Sequence, residues 1–329
     1  MTIKEFTRRY CERDNRIALI SYLGTFAAYF LSLWLAIRFA ETWYLVAPLV
    51  VVNAFCGVRL YIMQHDCGHG SLFETARLND LAGYGLSTFT LTPYRVMQYN
   101  HNMHHTHIGN LEERDSGEIH TMTVKEWEEA PFLTRLGYRL YRNPFLLLPV
   151  GGLFTYILRY RWPKNTLKIG AWEVMAQNAV LALWVWLIYL LGGWVGLAVY
   201  GATVMVAGII GVFLVYLQHN FEDTYWDRRP DLSFERAALQ GSSALDLGWL
   251  WDLGTGNIAY HDIHHFNARI PMYRLRKCHQ ELRKEFDVQI IRWPEALRSF
   301  RLKLWDEDQE RLVPFPKAKA TSPAIAPAE

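Results

Sequence analysis

Val174–Gln218, VMAQNAVLALWVWLIYLLGGWVGLAVYGATVMVAGIIGVFLVYLQ, runs for 45 residues without a charged side chain. A helix needs about 20 apolar residues to cross the hydrocarbon core of a bilayer. The block is too long for one crossing and right for two. Leu191-Gly192-Gly193-Trp194, near its middle, reads as a tight hairpin turn. Outward from this block, Ile17–Ile37 is charge-free over 21 residues, and Thr42–Val58 is a further uncharged run, with Arg59 and Gln64 near its end. The pattern predicts four transmembrane helices at about 17–39, 43–64, 172–192 and 195–217. Buried core helices of a soluble protein are the competing reading, and three such blocks in one chain argue against it.

Composition narrows the function. Of 329 residues, 51% are hydrophobic and 20% charged, which argues against wholesale disorder. Lys and Arg total 34 against 32 Asp and Glu, so the basic excess that nucleic-acid binding requires is missing. The 15% aromatic share fits a chain with much membrane–water interface. Cys11, Cys56, Cys67 and Cys278 show no CxxC spacing, against both a disulfide framework and a thiolate zinc site.

Basic residues set the orientation. Lys4, Arg8, Arg9, Arg13 and Arg16 precede the first block, Arg38 and Glu41 occupy the short first loop, and the second turn is uncharged. Both termini and the long middle segment are thus expected on the cytoplasmic side. The first block is too long for a signal-peptide core and lacks a convincing cleavage site, so it is expected to stay as an anchor. Leu81–Thr92 and Phe145–Leu158 are apolar but short, and are expected to lie on the membrane without crossing it. Arg135, Arg139 and Arg142 recur at helical spacing with Tyr138 and Tyr141 between them, which suits an interfacial helix or a solvated basic face. The chain divides into an N-terminal cytoplasmic segment (1–16), a membrane domain (17–312) and a Pro/Ala-rich disordered tail (313–329).

Three histidine boxes carry the chemistry. His65-Asp66-Cys67-Gly68-His69 closes the second apolar block, His101-Asn102-Met103-His104-His105 lies in the middle segment, and His261-Asp262-Ile263-His264-His265 follows the last block. Residues at i, i+3 and i+4 share a helix face, so the first box presents two imidazoles together and each of the others three. Thr92-Pro93 offers an N-cap and a proline at the first helical position for the second box, with Gly109-Asn110 as a stop. Asn257 is a candidate cap for the third-box helix, and Pro271 lies past its end. Eight imidazoles exceed what one zinc takes. Imidazole suits iron, copper and zinc, and spacing does not choose between iron and copper.

The boxes and their flanks resemble the membrane-bound fatty acid desaturases. The likeness rests on the three boxes in this order, on Gln98-Tyr99-Asn100 before the second, on Gly256-Asn257-Ile258-Ala259-Tyr260 before the third, and on Asn267-Ala268-Arg269-Ile270-Pro271-Met272-Tyr273 after it. Gln218-His219-Asn220-Phe221-Glu222-Asp223-Thr224-Tyr225-Trp226 is also similar to the family. The flanks look most like bacterial and plastid enzymes of the Δ12 (ω-6) type. The resemblance implies an all-α membrane protein, its four transmembrane helices carrying a cytoplasmic helical cap that holds two irons. It implies insertion of a cis double bond into an acyl chain, with O2 and two electrons from an external donor. The substrate is expected to be a fatty acyl lipid or acyl thioester.

Carried onto this chain, the metal ligands are His65, His69, His101, His104, His105, His261, His264 and His265, with His219 as the ninth. Asp66, Asp262, Asp115 and Glu222 are candidates to orient ring N–H groups, and Asn257 to meet the metals through water. His107 sits two residues past His105, off the ligand face, and His120 and His279 read as ordinary polar residues. Competing readings are a carotenoid ketolase or hydroxylase of the same superfamily, a histidine-rich metal transporter and a membrane zinc protease. The transporter is disfavoured because 174–218 lacks ionisable groups, and the protease because no HExxH occurs. With 16 residues before the first block, no heme domain is apparent there and a separate donor such as ferredoxin is expected. Arg274, Arg276, Lys277, Arg283 and Lys284 are candidates to dock it, or else form a solvated or lipid-facing surface.

Overall fold

The computed structural model describes residues 1–114, 119–161 and 167–316. Among them, three helices are long and apolar enough to cross a membrane: Asn15–Arg38, Trp43–His69 and Ala171–His219. In chain order, a short capped helix α1 (Ile3–Arg8) precedes the first two of these, α2 and α3. Then come α4 (Ala76–Leu86), α5 (Tyr94–His107), α6 (Val124–Glu129), α7 (Phe132–Tyr141) and α8 (Pro144–Leu153), and the third long helix is α9. Beyond it lie α10 (Phe234–Gln240), α11 (Trp249–Gly254), α12 (His261–Phe266), α13 (Met272–Leu282) and α14 (Trp293–Ser299).

The 49 residues of α9 are two limbs. Gly193 leaves the helical region at φ 58°, ψ −147°, a backbone that costs little only without a Cβ. The chain reverses there. The Trp184 and Tyr200 rings lie 6.4 Å apart, where an unbroken helix would carry them about 24 Å apart. The hairpin expected at Leu191–Trp194 therefore turns on Gly193.

Buried polar groups fix how the long helices pair. Asp14 caps α2, accepting from the Arg16 and Ile17 N–H groups. Asn53 of α3 is fully buried and donates to the Tyr29 carbonyl (2.6 Å) and the Ser32 hydroxyl (2.9 Å) of α2. Between apolar helices such a bond fixes register, because the alternative is an unsatisfied amide in a hydrocarbon-like interior. α8 meets the second limb of α9 through glycine. A Cβ on Gly152 would lie 2.6 Å from the Gly208 carbonyl carbon, so only glycine permits that approach.

Three expectations need correction. The protein is mostly helical rather than all-α. β1 (Ala244–Asp246) pairs in parallel with β2 (Ile290–Arg292), with Leu245 opposite Ile291, and β3 (Leu304–Asp306) pairs antiparallel with β4 (Arg311–Val313), with Trp305 opposite Leu312. Strands of three residues are too short to show a periodicity. Secondly, residues 313–316 are not a free tail. The Val313 carbonyl accepts the Lys303 N–H (2.8 Å), and the Phe315 ring lies 4.7 Å from that of Trp127; the tail expected over 317–329 lies outside the described residues. Thirdly, α7 does not present a simple basic face. It turns Phe132, Leu133, Leu136 and Leu140 outward, while Arg142, just past its end, is completely buried.

Candidate metal centre

α3 extends past its apolar stretch and carries His65 and His69 at its end. α5 supplies His101, His104 and His105, α12 supplies His261, His264 and His265, and the last residue of α9 is His219. The nine form two groups. His65, His69, His101, His105 and His264 make one, and His104, His219, His261 and His265 the other, with ligand atoms in each within 4.8 Å of one another. Helix geometry explains the division. At about 100° per residue, positions i and i+4 diverge by about 40°, whereas i+3 falls on the other flank. So His101 and His105 serve one group and His104 the other, and on α12 the assignment is reversed. The shared-face expectation was too coarse here, since each HxxHH face is split between two groups.

The donor set is crowded with nitrogen. The Nε2 atoms of His101 and His105 are 2.9 Å apart, as are those of His261 and His265. His105–His264 and His104–His265 close to 3.1 Å. A neutral imidazole has one N–H, so nitrogens at this spacing are short of protons and rich in lone pairs. The Nε2 atoms of His65, His69 and His219 are buried without a hydrogen-bond partner among the described residues. Burial pulls the six box imidazoles His101, His104, His105, His261, His264 and His265 well below the usual histidine range, and the neighbouring imidazoles add to it. Neutral rings in such a cluster are what a transition-metal cation requires.

Neighbouring side chains hold the clustered elements in place. Gln98 Nε2 donates to the Gly68 carbonyl (2.7 Å) and Tyr94 Oη to the Cys67 carbonyl (2.9 Å), fastening α5 to the end of α3. Gln218 Nε2 donates to the Ile258 carbonyl (2.8 Å), tying the end of α9 to the approach of the third box. His219 Nδ1 lies 3.3 Å from the Gly241 carbonyl. A carbonyl can only accept, so this contact places the proton on Nδ1 and leaves Nε2 free toward the group.

The outlying candidates fare unevenly. Asp66 is fully buried, with Oδ1 3.3 Å from His65 Nδ1 and Oδ2 accepting the Met272 N–H at 2.6 Å. Asp262 does not face a ligand ring. Its Oδ2 lies 3.3 Å from Nε2 of His279, which reads in the sequence as an ordinary polar residue and is fully buried. Asn257 does not cap the third-box helix; its N–H instead bonds the Asp252 carbonyl (2.9 Å) at the end of α11. It sits at φ 61° and donates to the Met272 carbonyl (2.9 Å), while Tyr260 precedes the third-box helix. Nor does Thr92 cap α5, because its hydroxyl bonds Gln64 Oε1 (2.6 Å) and the helix starts one residue later than expected. Glu222 reaches Arg311 (3.3 Å) on the surface, Asp115 lies outside the described residues, and His107 and His120 join neither group.

Gln64 was missed. Its buried amide donates to Gly83 O, Ser87 Oγ and Thr92 O, holding the segment that leads into α5. An amide one residue before a histidine box, within an apolar helix, was the available signal.

A cavity of about 270 Å³ opens from the histidines into the helix bundle. His65, His101, His104, His219 and His261 line its head, and apolar residues of α3, α8 and α9, among them Val58, Leu147, Ala207 and Val212, line its body.

A sequence model of the fatty acid desaturases matches residues 41–295. The chain belongs to the fatty acid desaturase family. The "Fatty acid desaturase" of Bacillus subtilis (strain 168) is 33% identical to it, over 98% of this chain and 94% of that protein. A chloroplastic "sn-2 acyl-lipid omega-3 desaturase (ferredoxin)" of Helianthus annuus is 28% identical, over 66% of this chain and 50% of the plant protein. For an "sn-1 acyl-lipid omega-3 desaturase (ferredoxin)" of Nostoc sp. (strain 36) the figures are 28%, 68% and 63%. This desaturase is thus an oxidoreductase acting on acyl chains, a membrane protein whose clustered histidines form a metal site.

Proposed function

We propose that the nine histidines hold two irons and that the enzyme inserts a cis double bond into a membrane acyl chain, consuming O2 and two electrons from a ferredoxin-type donor. The observation that carries this reading is the cavity, a mostly apolar space that five of the nine histidines help to line. An unactivated methylene offers no acidic proton and no carbonyl to polarise, so side-chain acid–base chemistry has nothing to act on. Iron bound by this donor set supplies the oxidising chemistry that such a C–H bond demands. The protein's own contribution is positional. Val58, Ala207 and Val212 bind the chain and exclude water, Gln98, Gln218 and Gly241 hold the ligand-bearing elements, and Asp66 sets the proton on His65.

Four membrane crossings, the two limbs of α9 counted separately, would leave both termini and the histidines on one side, and the basic residues ahead of α2 favour the cytoplasmic one. The exposed apolar residues of α4, α7 and α8, including Leu81, Phe132, Leu133 and Phe145, rest on the membrane surface. The Helianthus and Nostoc relatives carry omega-3 names, whereas the box flanks resemble Δ12 enzymes. The bond position is therefore what product analysis must supply.

Expression in a host lacking polyunsaturated lipids tests the reading. New double bonds in the acyl chains, dependent on iron and O2, are expected. Hydroxylated or ketonic products, or no acyl product alongside unaltered O2 uptake, would overturn it.

A further inference from the structure

Arg59 is the only charged side chain of α3 ahead of the first box. A cation within a membrane helix is costly and calls for partners. Its Nε and Nη2 donate to Thr25 Oγ1 (3.1 Å) and Ser21 Oγ (2.8 Å) of α2, and its Nη1 donates to the Leu253 carbonyl of α11. The last carbonyls of a helix have no partner within it, so Arg59 caps α11 from the side. At the other end of α11, Trp293 Nε1 of α14 donates to the Leu247 carbonyl (3.1 Å). Water meets such carbonyls on a wet surface. Backbone set in lipid needs them met by protein, and here a side chain serves each end of a six-residue helix.

Three marks agree on the depth of α11. Arg59 lies six residues before His65 on α3, and Ser21 six residues after Asn15, the first residue of α2. Phe213, whose ring is 5.4 Å from that of Trp251, lies six residues before His219 on α9. Each is about 9 Å from the end of its helix nearest the histidines. Phe55, one turn further along α3, meets the Trp251 ring at 5.4 Å. α11 therefore runs beside the long helices, below the histidines and not above them. Its outer face is wholly apolar. Trp249, Leu250 and Leu253 are 62%, 65% and 56% exposed, as are Trp293 and Leu297 of α14 at 41% and 60%. Asp252, the one charge of α11, turns inward, accepting from Tyr260 Oη (3.0 Å) beside Arg276 Nε (3.2 Å). At the same level α2 exposes Ile17, Ile20 and Leu23, so the apolar surface continues from one element to the next. An apolar face about 5–10 Å below the head groups is what a helix lying in the bilayer interface presents.

We infer that residues 247–254, with Trp293 and Leu297, are set into the acyl region of the bilayer beside α2 and α3, without crossing it. The third histidine box begins seven residues past Gly254, so lipid holds the chain segment that delivers it. The inference rests on the reading of α2, α3 and α9 as membrane crossings and adds an inserted segment to them.

The test needs no turnover. Leu250→Cys and Leu253→Cys are made separately in full-length holoenzyme carrying Cys11→Ser and Cys56→Ser, since those two native thiols are half-buried and Cys67 and Cys278 are buried. Each is labelled with a nitrobenzoxadiazole fluorophore and reconstituted in vesicles of phosphatidylcholine and phosphatidylglycerol. Quenching by lipids with a nitroxide on the acyl chain is compared with quenching by aqueous iodide. Val52→Cys, on an exposed apolar position of α3, gives the lipid reference, and Lys125→Cys, on an exposed polar helix, the aqueous one. Labels at Leu250 and Leu253 are expected to match Val52, with the ratio of the two quenching constants inverted from that at Lys125. Iodide access like that at Lys125, with Val52 still in lipid, overturns the insertion and leaves the crossings standing. Iodide access at Val52 as well refutes the crossings and the insertion together. Labels shielded from both quenchers, with self-quenching relieved by unlabelled protein, make the occupant a second copy of the chain and overturn lipid.

Discussion

The two histidine groups draw on the same pair of short helices yet sit in different surroundings. In the group of His65, His69, His101, His105 and His264, three members are half-exposed; in the group of His104, His219, His261 and His265, all four are buried. The sealed group gives three of its four members to the cavity, and the other gives His65 and His101. Both groups therefore face the space assigned to the acyl chain, the first with the more exposed rings and the second with the larger share of its members. A single periodic motif has produced two unequal sites because neighbouring positions on one helix look in different directions.

The largest expected effect comes from removing a ligand that serves the sealed group alone. His219→Ala should abolish desaturation, by more than about 100-fold and so beyond what loss of an outer partner costs, and should release about half the iron. His69→Ala is the matched removal from the half-exposed group. Metal analysis of both variants decides whether the groups are separable; complete loss of iron from either would show them to be one unit.

A smaller difference should separate the two buried aspartates. Asp66 touches His65, so Asp66→Asn should lower iron affinity or activity by about tenfold. Asp262 faces His279 and no ligand ring, so Asp262→Asn should lower the melting temperature while iron per chain stays unchanged. Equal iron loss in both variants would erase the distinction.

The mildest test is acidification of metal-stripped protein. Burial holds the second- and third-box imidazoles below their unfolded value, about 6.5, so the unfolded chain binds more protons. Their neutral form therefore favours the fold above about pH 6.5, and that contribution is lost as pH falls below it. The melting temperature should drop over that range, and a flat profile would contradict burial of uncharged rings.

Much of this was legible in the sequence. The charge-free run 174–218 announced a hairpin, and the three boxes announced a metal site, because apolar length and i, i+3, i+4 spacing are properties of local chain geometry. Contacts distant in sequence were not legible. Gln64 gathers Gly83, Ser87 and Thr92, and Asn257 answers Met272 rather than capping the helix beside it. His279 looked solitary because its partner, Asp262, belongs to a box whose acidic residue was assigned to the ligands. The division of each HxxHH face was implicit in the helical angle, but only the placement of α5 against α12 gives it two centres.

Arg142 shows how the segment after α7 is joined to the end of α9. The side chain is wholly buried and donates to the His120 carbonyl, Thr121 Oγ1, Asn220 Oδ1 and the Leu302 carbonyl, while Lys303 Nζ donates to the Arg142 carbonyl at 2.6 Å. Two cations meet there, and every acceptor is neutral. Carboxylate joints such as Arg114–Glu126 weaken when acid protonates the acid partner, but amides, hydroxyls and carbonyls have nothing to protonate in that range. The joint beside His219 is therefore acid-proof: a falling pH empties the histidines of their lone pairs while the clamp that positions them stays closed.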